Sequence, residues 1–402
     1  MGVTNPYYDD CPFKTQLLFL YLLLLRRPIA PDSNNEDGEN RYKGADFRHE
    51  NQPLFVFMDI TKATLPKHPA FSLTRTIHPV GQGAFYSETF KDLETNQPLL
   101  TAVYDCGGKE DTLKKEIDSI EELNIVFISH FHSDHINGLE TLIDLKKPKM
   151  VVVPRISPSR FLVDFVSNCL KDKSGVANQL MLTALPSMKP ENNYAHIDNN
   201  TTYSSVLGES HISKDKSIWE YIAYYNEEDS ADKRLAEDLV SLLGLTGYDS
   251  ESYFEPTVYQ GIAMRLINGK DLIEKIKEVY EQVFDGKHNS YSMLVLSHEI
   301  NGENIRYNSF DCLYTGDIKP DEYVLSIVSN NSPDFIQVPH HGSNHNHNNH
   351  LYSKDRIAFM SVGETNKYRH PGLKTLLYLY DNCKEIHVVT EKRNYKKMIN
   401  IK

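Results

Sequence analysis

Residues 128–142 read ISHFHSDHINGLETL, and His130, His132, Asp134 and His135 place four ligand-competent side chains within six positions. The apolar run NIVFISH at 124–130 leads into them as a buried strand, and a helical pattern follows, so the four groups stand at a strand's C-terminal end. Residues two apart on an extended chain share a face, which points His130 and His132 the same way while the polar turn swings Asp134 and His135 in from another side. Imidazole and carboxylate at this density suit a borderline divalent metal, and two metal positions fit one cleft. Gly138, just beyond, permits close backbone packing at the helix start.

The 402 residues suffice for one large layered domain or several average ones. With 40% hydrophobic and 24% charged residues, a compact body is expected rather than disorder. The formal charge of -12 disfavours broad attraction to nucleic acid, although bound cations and a local basic patch can offset that within one cleft. Five cysteines, scattered and without CxxC spacing, indicate neither a disulfide framework nor a thiolate zinc site and suit a reducing compartment.

The Leu-rich run QLLFLYLLLLRR at 16–27 is short of the roughly 20 residues that span a bilayer. Asp9 and Asp10 precede it and Arg26 and Arg27 follow, the reverse of a secretory signal, so no transmembrane segment and a cytoplasmic location are expected. The run reads as a helix packed on the body or on a protein partner, with interfacial membrane contact as the alternative. PDSNNEDGENRYKGADFRHENQP at 31–53 reads as a linker or mobile loop. The expected organisation is therefore residues 1–50 as an apolar helix and polar linker, and residues 51–402 as one domain.

Within that domain, strands are predicted in LFVFMDI (54–60), on both sides of Gly81 and Gly83 in TRTIHPVGQGAFYSETF (74–90), and in LLTAVYDCGG (99–108) and KMVVVPRI (149–156). Helices are predicted in KEDTLKKEIDSIEEL (109–123) and INGLETLIDL (136–145). Residues from about 156 to 285 read as an inserted, mostly helical segment, with helices in 232–245 and 269–284 and a strand in SIWEYIAYYN (217–226). Strands at SMLVLSHEI, SFDCLYTGDI, DFIQ, RIAFMSV and EIHVV, with helices at DEYVLSIVSN and LKTLLYLYDNC, complete a layered α/β body. Its strand-end loops repeatedly carry metal-binding or proton-transfer groups: HFHSDH, HNSYS (288–292), TGD (315–317), PHHGS (339–343) and NKYRHP (366–371). Together they describe one polar pocket at one sheet edge.

These motifs resemble the metallo-β-lactamase superfamily of metallohydrolases, whose HxHxDH signature is His130, His132, Asp134 and His135 here. Within it they are most similar to the nuclease-like domain of ComEC-type DNA-uptake proteins, through HPVGQGAF, VYDCGG, NSYSMLVL with LYTGD, QVPHHGS and NKYRHP, over roughly residues 72 to 390. The resemblance implies an αββα sandwich with a one- or two-metal site at the shared edge of its sheets. ComEC-type domains often carry aspartate where His132 stands; imidazole there favours zinc, carboxylate manganese or magnesium.

It further implies that His130 and His132 hold a first metal, Asp134 and His135 a second, and that Asp317 bridges them, sharing one negative charge between repelling cations. His288 would be the first metal's third ligand, with an exposed loop histidine as the alternative. His341 and His340 compete for the second metal; neighbours on an extended segment face opposite ways, so His341 is the expected ligand and His340 is left for substrate phosphate. His370, with Asn366 and Tyr368, would overhang the metals to orient substrate or donate a proton, or else cap the loop before Pro371. Asp105 is expected behind the ligands, fixing a histidine or the metal loop. Core packing is the default for Trp219, Tyr221, Tyr224 and Tyr225, with a base-stacking platform as the alternative. Lys114, Lys115, Lys146, Lys147 and Lys149 read as solvated positions, and His345, His347 and His350 as a polar loop.

The expected activity is a phosphodiesterase acting on nucleic acid through two divalent ions, zinc or manganese, with Asp134 orienting or deprotonating the attacking water. The alternatives are hydrolysis of a small ester, thioester, lactone or nucleotide, and a metal-containing assembly protein without turnover. β-Lactam hydrolysis fits least.

Overall fold

The computed structural model describes residues 71–154, 158–171, 194–197, 202–207, 219–225, 230–248, 257–258, 261–262, 265–266, 269–284, 292–299, 310–393 and 395–401. The N-terminal Leu-rich run, the linker, the strand expected at 54–60 and His288 lie outside the described residues. The first half runs β1 (Phe71–Ile77), β2 (Tyr86–Asp92), β3 (Pro98–Tyr104), α1 (Glu110–Asp118), β4 (Ile125–Phe127), α2 (Ser133–Ile136), α3 (Leu139–Lys146), β5 (Met150–Pro154), α4 (Pro158–Lys171) and β6 (Tyr194–Ile197). The second runs β7 (Thr202–Leu207), β8 (Trp219–Tyr224), α5 (Ser230–Leu242), α6 (Lys270–Phe284), β9 (Leu294–Glu299), β10 (Cys312–Tyr314), α7 (Glu322–Asn331), β11 (Phe335–Gln337), β12 (Ile357–Ser361), α8 (Leu373–Asn382), β13 (Glu385–Val389) and β14 (Tyr395–Ile401).

The described strands form two seven-stranded sheets, ordered β14-β1-β2-β3-β4-β5-β6 and β13-β12-β11-β10-β9-β8-β7. Each sheet is antiparallel in one half and parallel in the other, β3 to β6 and β10 to β13 being the parallel runs. Parallel neighbours need crossover connections, which α1, α3, α4, α7 and α8 supply, with 3-10 turns between β11 and β12, and strands covered on both faces read as the unbroken apolar runs IVF, MVVVP and IAFMS.

Three buried clusters define the layers. Phe71, Leu73, Tyr86, Phe90, Trp219, Tyr221, Tyr314 and Phe359 pack between the sheets. Val103, Val126 and Val151 on the first sheet's outer face meet Leu113, Ile117, Leu139 and Leu142 of α1 and α3. Leu294, Leu296, Ile336 and Ala358 on the second sheet's outer face meet Val324, Ile327 and Val328 of α7 and Leu379 of α8. The result is the expected αββα sandwich, and each such buried side chain contributes about 1.5–3 kcal/mol.

The inter-sheet layer also holds charge. Arg75 and Glu88, opposite each other in the β1–β2 ladder, form a buried ion pair. Glu88 also accepts hydrogen bonds from Tyr221 Oη (2.7 Å), Ser297 Oγ (2.6 Å) and Tyr314 Oη (3.1 Å), while the Arg75 guanidinium lies 4.9 Å from the Phe335 ring centre. Trp219, Tyr221 and Tyr225 are buried in this core rather than forming a stacking platform.

Segment 156–285 contains the helices α4, α5 and α6, and it also supplies strands β6, β7 and β8, so edge strands of both sheets arise there. YAHI and TYSSVL carry weak alternation because each pairs on one side only. The same holds for β14, whose Lys396 and Lys397 mark a sheet edge. Among the described residues no helix is long and apolar enough to cross a membrane.

Candidate metal centre

The chain leaves β4 at Phe127 and runs extended through Ile128 to His132 before α2 begins. His130 Nε2 and His132 Nδ1 end 3.1 Å apart, facing one pocket. Asp134 and His135 enter from the first turn of α2. From the other sheet, the loop after β10 brings Asp317, and the turn Pro339–Gly342 after β11 brings His340 and His341. Gly316 makes this approach possible: its φ is +55°, and a Cβ there would fall 2.8 Å from the Ser129 and Ser292 β-carbons. Gln337 fixes the same loop, its Oε1 accepting from the backbone N–H of Thr315 (2.9 Å) and Gly316 (3.1 Å).

Asp317 stands at the centre. One oxygen is 3.2 Å from His135 Nε2 and 4.0 Å from His341 Nε2; the other is 3.6 Å from His340 Nε2 and 3.9 Å from His130 Nε2. Among the described residues, two sets of side chains come close enough to hold an ion: His130 with His135 and Asp317, and Asp134 with His135 and His341.

The far nitrogen is fixed in His130, His135, His340 and His341. Asp105 takes hydrogen bonds from Ser129 N, Ser129 Oγ and His135 Nδ1, each at 2.7 Å. Because Ser129 Oγ donates to Asp105, it accepts from His130 Nδ1 at 2.9 Å. His341 Nδ1 donates to the Ser361 carbonyl, and His340 Nδ1 to Asn346 Oδ1, both at 2.9 Å. Asn346 presents that oxygen because its amide nitrogen donates to the Asp317 carbonyl. With the protons held on Nδ1, the Nε2 lone pairs of these histidines converge on the pocket. Buried His135 Nε2 and His341 Nε2 have no hydrogen-bond partner, so the donor set fits a divalent cation that would occupy that space.

The electrostatics agree. Burial would raise the Asp317 carboxyl, but His340 and His135 hold it well below the ordinary carboxylate value. Asp134 is likewise lowered, against burial, chiefly by His341. Burial would lower His135, yet Asp317 and Asp105 keep it well above the usual imidazole value, and His341 is raised by Asp134 and Asp317. A pocket that keeps carboxylates ionised and draws protons onto imidazoles is a pocket for positive charge.

Several placements differ from expectation or add to it. His340 and His341 are not extended; both have left-handed backbones, φ +50° and +53°, so strand alternation does not separate them and both rings approach Asp317. Asn366 lies in the loop itself, donating to the Gly363 and His370 carbonyls and accepting from the His370 N–H. His370 sits 5.2 Å from the His340 ring, and Tyr368, 54% exposed, stacks on His370. Asp105 lies directly behind His135. His345, His347 and His350 belong to neither ion-binding set.

Sequence reasoning missed Asp164, a buried carboxylate on α4 whose Oδ1 is 3.7 Å from His132 Nε2. A single charge inside the apolar run FLVDFV at 161–166 was its signal.

Residues 100–164 match the family model of the metallo-beta-lactamase superfamily, a stretch from β3 into α4 that contains the whole HFHSDH motif. This match and the four-layer arrangement support a place in that superfamily and assign the chain its fold. Solved structures similar to it include the metallo-beta-lactamase fold protein YhfI from Bacillus subtilis (8% identity, TM-score 0.38, covering 82% of this chain and 100% of that one). Another is the long form RNase Z from yeast (11% identity, TM-score 0.27, 67% of this chain and 32% of that one). A third is the archaeal superfamily protein ST1585 from Sulfolobus tokodaii (13% identity, TM-score 0.20, 40% of this chain and 56% of that one). None of these distant likenesses bears on the reaction. No curated protein matches the chain in sequence.

Proposed function

We propose that the protein is a two-metal phosphodiesterase acting on nucleic acid. The observation carrying this reading is Asp317 within 4.0 Å of four histidine nitrogens drawn from both sheets, beside a second set that shares His135. In it His130, His132 and Asp317 hold a first divalent cation, with His288 assigned there on its motif position alone. Asp134, His135 and His341 hold the second, Asp317 lying between. Zinc or manganese suits this nitrogen and oxygen set. When bound, such ions polarise a phosphoryl group and bring the pKa of a water toward about 7.

The chain's own side chains do the rest. Asp134 is partly exposed where the other ligands are buried, so it is the carboxylate that water reaches and orients on. His340 and His370, side by side at the mouth, bind non-bridging phosphate oxygens. Burial, then His340 and His341, push the His370 imidazole down to about 4, so near neutral pH it orients substrate rather than storing a proton. Tyr368 stacks on it and lies 5.2 Å from Lys367 Nζ, an aromatic and a cation at the rim that suit a stacked base.

The charge of -12 favours a second reading, a small phosphodiester or ester. Cleavage of a polyanion weakens steeply with salt through counterion release, and small-substrate turnover does not. The test incubates metal-free protein, with and without manganese or zinc, with single-stranded DNA, RNA and a small diester. Asp134→Ala and His135→Ala are expected to abolish cleavage with the fold intact. Full activity of either in a metal-checked preparation contradicts the assignment, and retained metal without any turnover favours the assembly role.

A further inference from the structure

Helix α4 is buried along Leu162–Ser167, and Asp164 within it is 1% exposed among Leu162, Val163, Phe165 and Val166. A carboxylate in such surroundings is costly unless a charge or strong donor faces it, so its position needs a reason. One group it faces is His132, whose Nε2 is 3.7 Å from Asp164 Oδ1. The other ring nitrogen, Nδ1, is the one 3.1 Å from His130 Nε2 in the pocket. His132 is thus oriented opposite to His130, His135, His340 and His341, which turn Nε2 inward and anchor Nδ1. On its Nε2 side α4 places a carboxylate.

We propose that Asp164 positions His132 for the first metal. It holds the imidazole proton on Nε2, which leaves the Nδ1 lone pair aimed at the cation. The proposal rests on the metal-site reading above. It makes Asp164 the counterpart of Asp105, which holds His135 from behind at 2.7 Å. Each half of the site then has one carboxylate–imidazole pair, one provided from the end of β3 and the other from the first helix of segment 156–285. At 3.7 Å the pair is longer than a hydrogen bond of about 2.7–3.2 Å. With a cation held on Nδ1, the Nε2 proton would be more acidic and the Asp164 carboxylate would hydrogen-bond to it more strongly. The packing of α4 would thereby tune a site whose ligands all come from other elements.

The experiment uses the full chain. Zinc affinity is measured by chelator competition for the wild type, Asp164→Asn and Asp105→Asn, the thermal midpoint of each metal-free protein is recorded, and the visible spectrum is taken after cobalt loading. The expected result is that Asp164→Asn weakens binding by about 10- to 100-fold and alters the cobalt spectrum, with the metal-free midpoint unchanged or raised. A lower metal-free midpoint with affinity within twofold of wild type makes Asp164 a packing residue and overturns the proposal. A wild type that binds no metal overturns the metal-site reading as well, which separates the two failures. Should the variant not fold, 15N-histidine spectra of the zinc-loaded wild type decide: His132 is expected to bind through Nδ1 with a protected Nε2 proton, and binding through Nε2 overturns the proposal.

Discussion

Asp105→Asn tests how the site is oriented, because it removes one charge without changing shape. The residue has a left-handed backbone, φ +59°, which asparagine tolerates, so the substitution adds no backbone strain. Asparagine can keep its oxygen toward Ser129 N, but then its NH2 group faces His135 Nδ1, now 2.7 Å from a carboxylate oxygen. Two donors cannot share that contact, so the His135 proton moves to Nε2, the nitrogen 3.2 Å from Asp317 and common to both ion-binding sets. Removing a carboxylate behind a ligating histidine weakens metal binding about 10- to 100-fold, or about 1.4–2.7 kcal/mol. Stability of the metal-free protein should change less, since relief of a buried charge offsets part of the lost hydrogen bonding. Isothermal titration of zinc into metal-free wild type and variant, with a melting curve of each, measures both quantities. Affinity within twofold of wild type refutes the reasoning.

Removing Glu88 as Glu88→Ala leaves the Arg75 guanidinium buried without its counter-charge and should cost about 3–5 kcal/mol in urea unfolding; a loss below about 1 kcal/mol contradicts the account of the inter-sheet layer. His78 is lowered by burial, which outweighs Glu116, and the Glu116 carboxyl is lowered by its hydrogen bond from His78. For these two groups the unfolded chain binds more protons, so the pair's own contribution to stability falls as pH drops below about 6.5 and again below about 4.5; because His135 and His341 shift the other way, that contribution is read as the difference in thermal midpoint between wild type and His78→Gln, and a wild-type advantage that grows on acidification contradicts it. Tyr368→Ala should raise KM for single-stranded DNA by about 5- to 150-fold, the worth of roughly 1–3 kcal/mol of stacking, with kcat little changed; an equal effect on a small diester would remove Tyr368 from base recognition.

Much of the site was legible because its chemistry is local. HFHSDH, TGD and PHHGS each set ligand-competent side chains directly after an apolar strand, a pattern that packing alone does not produce. Asp164 was harder to read, since its partner His132 lies on a different element and a lone aspartate in FLVDFV marks burial without saying what faces it. The paired left-handed turn at His340 and His341 has no signal beyond the adjoining Gly342, so the expectation of opposed side chains failed on backbone conformation. Arg75 and Glu88 show as charges in two strand patterns, and only the β1–β2 register makes them partners in the core. Strands β6, β7 and β14 were missed because edge strands are short or polar on their open side.

The central claim is two cations acting together, and titrating metal into metal-free protein while following cleavage of single-stranded DNA tests it most directly. The account predicts no cleavage at zero metal, activity that saturates at two bound cations per chain, and none at any metal level in Asp317→Asn. Cleavage by the metal-free protein, or activity complete at one cation and retained by Asp317→Asn, would contradict it.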